Sequence, residues 1–84
     1  MSFPERLAIR GKITELESQE AHLNIKIRGS AELLRGNCLL ALKDSYDQID
    51  ENIIEVFSSE LVKDVRALRE IKSKINNLYQ EIGE

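Results

Sequence analysis

The chain has one cysteine (Cys38), one proline (Pro4), one histidine (His22) and no tryptophan. A single cysteine excludes an internal disulfide and fits a reducing cytoplasm. Cys38 and His22 are sixteen residues apart. On one helix that is about 24 Å of rise, so the two cannot form a catalytic dyad within a chain. Two Phe and two Tyr are too few for an aromatic core, or for the interleaved aromatics and cations of a base-stacking surface. The glycines are isolated, so no phosphate-cradling loop exists. Asp44, Asp47 and Asp50 are spaced by threes with no glycine between, which is not the pattern of a calcium loop. No apolar run approaches the ~20 residues of a membrane span, and the N-terminus lacks the apolar segment of a secretory signal. These absences leave no catalytic, metal or cofactor site to assign, and a non-enzymatic protein is the expectation.

What remains is a chain rich in Glu, Lys, Leu and Ile, with 32% charged and 42% hydrophobic residues in 84 positions. That composition belongs to long helices and coiled coils in a single small domain spanning residues 1–84. The formal net charge is −3, which disfavours a general nucleic-acid binder. Residues 1–43 hold seven Lys/Arg and five acids, whereas residues 44–84 hold five and ten. Halves of opposite sign attract when they fold against each other.

Ile9, Ile13, Leu16, Leu23, Ile27, Ala31, Leu34, Cys38, Ala41 and Leu42 fall on one line of a helix at about 100° per residue. This predicts one long helix over about 3–43, with Cys38 as a small buried hydrophobe. Ser2 and Glu5 form a capping box at its start, with Pro4 in the first turn. An acidic connection follows over about 44–49. Ser45 with Gln48, or Asp50, then caps a second helix over about 50–82. Ile53, Phe57, Leu61, Leu68, Ile71, Ile75, Leu78 and Ile82 form its stripe, and Gly83 ends it.

The fold expected is all-α: an antiparallel, coiled-coil-like helical hairpin about 60 Å long. The alternative is a three-helix bundle with breaks near Gly29-Ser30 and Ser58-Ser59. A rival strand signal, the alternation from Leu23 to Arg28, has no partner strand to pair with. With the turn centred near residues 46–47, Leu23 faces Ile71 and Leu16 faces Leu78. Cys38 then sits near Val56 and Phe57, Glu20 near Lys74, and Asp64 near Gly29-Ser30.

Two surfaces are left over. Ile25, Leu33, Leu39, Leu40, Ile54 and Val62 lie outside a two-helix seam, and surplus apolar faces are normally covered. A second copy of the chain is the expected cover, making a dimeric four-helix bundle; a third segment of the chain or a different protein are the alternatives. Arg6, Arg10, Arg28 and Arg35 lie in one sector beside the apolar stripe and offer an alternative nucleic-acid face. Gly11, Gly29 and Gly36 share a face opposite the stripe, either as a groove for another backbone or as tolerated solvated positions.

Ile25-Lys26-Ile27-Arg28-Gly29 lies in a long Leu/Ile/Arg-rich first helix. An acidic connection and a second helix with Glu60-Leu61 follow, ending in Leu78-Tyr79-Gln80-Glu81-Ile82-Gly83. This plan resembles small uncharacterised helical proteins of Mu-like prophages. The resemblance implies a bacterial or phage protein acting inside the cell, and it transfers no functional residue. The function expected is therefore a protein–protein interaction module, acting as scaffold, adaptor or inhibitor. A small nucleic-acid-associated regulator is the alternative.

Overall fold

The computed structural model describes residues 2–83 and is an antiparallel helical hairpin measuring 63 × 17 × 15 Å. Helix α1 is Phe3–Leu42 and helix α2 is Glu51–Glu81, joined by a short 3-10 turn at Tyr46–Gln48. Both Gly29-Ser30 and Ser58-Ser59 lie inside continuous helix, so the three-helix alternative is excluded. The alternating segment Leu23–Arg28 is helical too. Serine competes for backbone groups; here the Ser58 hydroxyl donates to the Glu55 carbonyl at 3.2 Å without stopping the helix.

The helix ends follow local chemistry. The Ser2 hydroxyl accepts from the Glu5 amide at 3.4 Å, and Pro4 occupies the first turn, where its missing amide costs nothing. Asp50 caps α2, accepting from the Asn52 and Ile53 amides at 3.0 and 3.2 Å. Ser45 makes no side-chain cap. Gly83 closes α2 at φ 80°, the left-handed conformation glycine adopts without strain. At the end of α1 the same position falls to Asp44, at φ 59°. Its amide donates to the Ala41 carbonyl at 3.2 Å, and the Ser45 amide reaches back to Leu40 at 2.9 Å. This double closure satisfies carbonyls that the last helical turn would leave orphaned.

The seam between the helices differs from the straight-helix stripe in one respect. The less exposed positions of α1 are Ile9, Ile13, Leu16, Glu20, Leu23, Ile27, Ser30, Leu34, Asn37, Leu40 and Ala41. Leu40 apart, their steps alternate strictly between four and three, the 3.5-residue repeat of a supercoil. Ala31, Cys38 and Leu42 are exposed instead, and Leu42 is 80% exposed. The buried-cysteine expectation is corrected in the same way. A straight helix drifts by about 20° per heptad relative to a supercoiled seam. Over the length of α1 that drift exchanges 31 for 30 and 38 for 37.

The core is thin because each seam residue meets only one neighbouring helix. Among the described residues, Ile13 and Ile82 are the buried apolar ones, and Ser30, Asn37 and Asp64 are the buried polar ones. Asn37 is well satisfied: its side-chain oxygen accepts from the Asp50 amide at 2.7 Å, and its amide donates to the Leu33 carbonyl at 3.4 Å. The residue that caps α2 is thus tethered to α1. Asp64, 2% exposed, accepts from Lys26 through Oδ1 at 3.2 Å, while its Oδ2 has no partner.

Pairing agrees with the expected register in the middle and far half of the rod. Leu23 and Ile71 line one hollow, and Leu16 and Leu78 line the next. Near the turn the register shifts. Asn37 stands beside Asp50, and Val56 and Phe57 share a hollow with Gly29, Ser30 and Leu33 rather than sitting by Cys38. The eight-residue connection between α1 and α2 folds back along α1, so α2 begins lower on the rod than a symmetric turn would place it. Asp64 accordingly pairs with Lys26, one turn before Ser30, and Lys74 pairs with Glu70 of its own helix at 3.5 Å.

Candidate protein–protein interface

Two sides of the hairpin border the seam, and they differ. On the first side, three hollows run in a row. The one nearest the chain termini is lined by Lys12, Leu16 and Lys74. The middle one is lined by His22, Leu23, Ala67 and Ile71, and it shares Lys26 with the third, where Gly29, Leu33, Val56 and Glu60 stand. Together they make one open groove between the helices. On the opposite side, the Tyr79 hydroxyl donates to Glu17 at 3.5 Å across the seam. That side also carries a hollow formed by Leu61, Val62, Val65, Arg66 and Arg69, and another formed by Phe3, Arg6, Leu7 and Arg10.

The six apolar residues proposed from sequence divide between these surfaces. Leu33 lies in the groove and is 43% exposed, while Val62, 49% exposed, lies on the opposite side. Ile25 (71%), Leu39 (40%) and Ile54 (39%) are exposed outside both. Leu40 is half-buried and its carbonyl is taken by the turn amides. Sequence reasoning missed Val56, the groove partner of Leu33, and the exposed Phe3 and Leu7. Phe3 and Leu7 are spaced one turn apart, a signal that was available.

The arginines proposed from sequence differ in their partners. Arg6 donates to the Ile82 carbonyl at 3.2 Å and ties the start of α1 to the end of α2. Arg35 pairs with Glu32 of its own helix at 3.8 Å, and Arg10 is itself engaged in an interaction. Arg6 thus links the two ends of the hairpin. Arg66 and Arg69 of α2, which the sequence reading left out of the basic set, border Val62.

The glycines of α1 leave space. A Cβ placed on Gly11, Gly29 or Gly36 would meet nothing within 4 Å. Each costs roughly 1 kcal/mol against alanine in a helix, and no close approach inside the chain requires it. Among the described residues, no three His, Cys, Asp or Glu side chains converge as a metal site, and no helix is long and apolar enough to cross a membrane. Tyr46 sits on the turn with its hydroxyl 2.7 Å from Asp44; donating to that carboxylate raises its pKa above the usual 10.0, with a smaller contribution from desolvation. Comparison with protein-family models, with curated proteins and with solved structures gives no match for this chain.

Proposed function

We propose that the chain is a non-enzymatic interaction module that works as a homodimer. Two hairpins lie side by side as a four-helix bundle and form a rigid scaffold for a partner protein. The observation that carries this reading is area. A compact domain of 9.6 kDa exposes about 5,100 Å², whereas this hairpin exposes 6330 Å². The difference, about 1,200 Å², is of the size that each partner buries in a homodimer with an interface of roughly 2,000–2,500 Å² in total. The thin core points the same way, because a chain of this length gains its stability more readily when a second copy covers it. A reducing cytoplasm fits the exposed Cys38 thiol, and action inside a bacterial cell fits the Mu-like prophage resemblance.

Sedimentation equilibrium tests the reading. The wild-type chain is expected at twice its 9.6 kDa mass across micromolar concentrations. Leu33→Glu with Val56→Glu, two exposed positions, is expected to give a helical monomer. A wild-type chain that stays monomeric over that range removes the proposal.

A further inference from the structure

We infer that the second copy lies parallel to the first, groove against groove, about a two-fold axis that runs along the rod. This rests on the dimer proposed above and adds its face and direction. Each rim of the groove repeats every seven residues: Lys12, Gln19, Lys26 and Leu33 on α1, and Glu60, Ala67 and Lys74 on α2. The next α2 position in that repeat is Glu81, which is exposed. Leu33 and Val56, 43% and 50% exposed, line one hollow toward the turn, so the apolar part of the groove lies at one end. Of the rim charges, Lys26 pairs with Asp64 and Lys74 with Glu70. Lys12, Glu60 and Glu81 have no ion-pair partner among the described residues.

An axis along the rod keeps every residue at its own height and faces α1 of one copy with α2 of the other. Leu33 then meets Val56 of the other copy, twice, because the two stand level within each chain. Glu81 lies three residues past Leu78, which shares a hollow with Leu16 and Lys12. It therefore stands within about 2 Å of the height of Lys12. The same axis sets Lys12 over Glu81, twice, and brings Glu60 beside Lys26, which lines the same hollow. An antiparallel pair instead faces α1 with α1 and α2 with α2. With the rods fully overlapped its axis crosses the midpoint of Phe3–Leu42. Lys12 then falls on Leu33, Glu81 falls on Glu60 and repels it, and Val56 passes beyond the end of α2. Sliding the two copies until Leu33 meets Leu33 leaves about half of α1 uncovered. Gly29 and Gly36, seven residues apart and with no atom within 4 Å of a notional Cβ, leave room beside Leu33 for the facing helix.

Disulfide trapping on the full chain tests this. Two mixtures are prepared in a Cys38→Ser background, left to exchange subunits and mildly oxidised. The first combines a Lys12→Cys chain with a Glu81→Cys chain. The second combines a Glu60→Cys chain with a Glu81→Cys chain. Placing the two cysteines on separate chains means that any bond between them joins copies. The expected result is covalent dimers in the first mixture, holding up to about half of the chains, the share that random exchange places in mixed pairs. The second mixture is expected to give none, because a parallel pair leaves those positions about 30 Å apart along the rod. Lys12 and Glu81 are both exposed, so these substitutions leave the hairpin intact. For a wild-type chain that sediments as a dimer, linking in the second mixture, or none in the first, overturns the parallel arrangement. A wild-type chain that sediments as a monomer instead removes the dimer itself, so the two failures are distinct.

Discussion

Asn37 and Cys38 are neighbours, and substituting each in turn reads the phase of the seam directly. Asn37 is 6% exposed and its side-chain oxygen holds the Asp50 amide at 2.7 Å, whereas Cys38 is exposed. Asn37→Ala leaves a partly buried amide without its acceptor and frees the capping residue of α2 from α1. Leaving a buried donor unsatisfied costs about 1–3 kcal/mol; partial water access places this one at ~1–2. For a domain of this size that lowers Tm by roughly 5–15 °C. Cys38→Ala touches nothing buried and stays within about 0.5 kcal/mol of wild type. The assay is urea unfolding followed by circular dichroism, at one fixed chain concentration because association shifts apparent stability. The expected result is a lower midpoint for Asn37→Ala with an unchanged slope, and a Cys38→Ala curve that overlays wild type. The reverse order of midpoints would mean that the straight-helix stripe is the true seam and that the supercoil argument is wrong.

Three further outcomes follow from the polar groups of the hairpin. Lys26→Met removes the one partner that buried Asp64 has among the described residues; it destabilises by about 1–3 kcal/mol, discounted from a fully buried pair because Lys26 is 52% exposed. Lys26→Met with Asp64→Leu recovers that loss or exceeds it in the same unfolding assay, since apolar replacement of a buried pair is often stabilising. Asp50→Ala removes the cap of α2 and costs roughly 1 kcal/mol, with loss of amide protection confined to Asn52 and Ile53 in hydrogen exchange. Tyr46 keeps its proton above pH 10.0 because it donates to Asp44. The raised value means that any stability it lends is intact below that pH and is lost as pH climbs through the folded value. In a Tyr79→Phe background, Asp44→Ala should return the tyrosinate absorbance transition toward 10.0.

Much of the hairpin was legible from local chemistry. Ser2, Asp50 and Gly83 announce the helix ends, and two phased stripes with no third segment force the helices to pair. The middle and far register was legible because it depends only on where the turn is centred. The seam polar residues were not. Choosing apolar residues selects Ala31 and Cys38 over Ser30 and Asn37, although the strict four-three alternation from Ile9 to Ala41 points to the latter. The register near the turn was hidden because Asp44 adopts a left-handed conformation that folds the connection back along α1. The groove was half legible. Leu33 is a groove residue, but Val56 joins it only once α2 has shifted along α1. The Arg6 bond to the Ile82 carbonyl was not legible, because only the folded hairpin brings the end of α2 within its reach.

Solution scattering tests the central claim most directly, because it reads mass and length together. Two hairpins overlapping along their whole length should scatter with twice the mass of one chain and a longest dimension close to the 63 Å of a single hairpin. A particle of single-chain mass with a radius of gyration near 18.7 Å, or a dimer about twice as long as one rod, would contradict it.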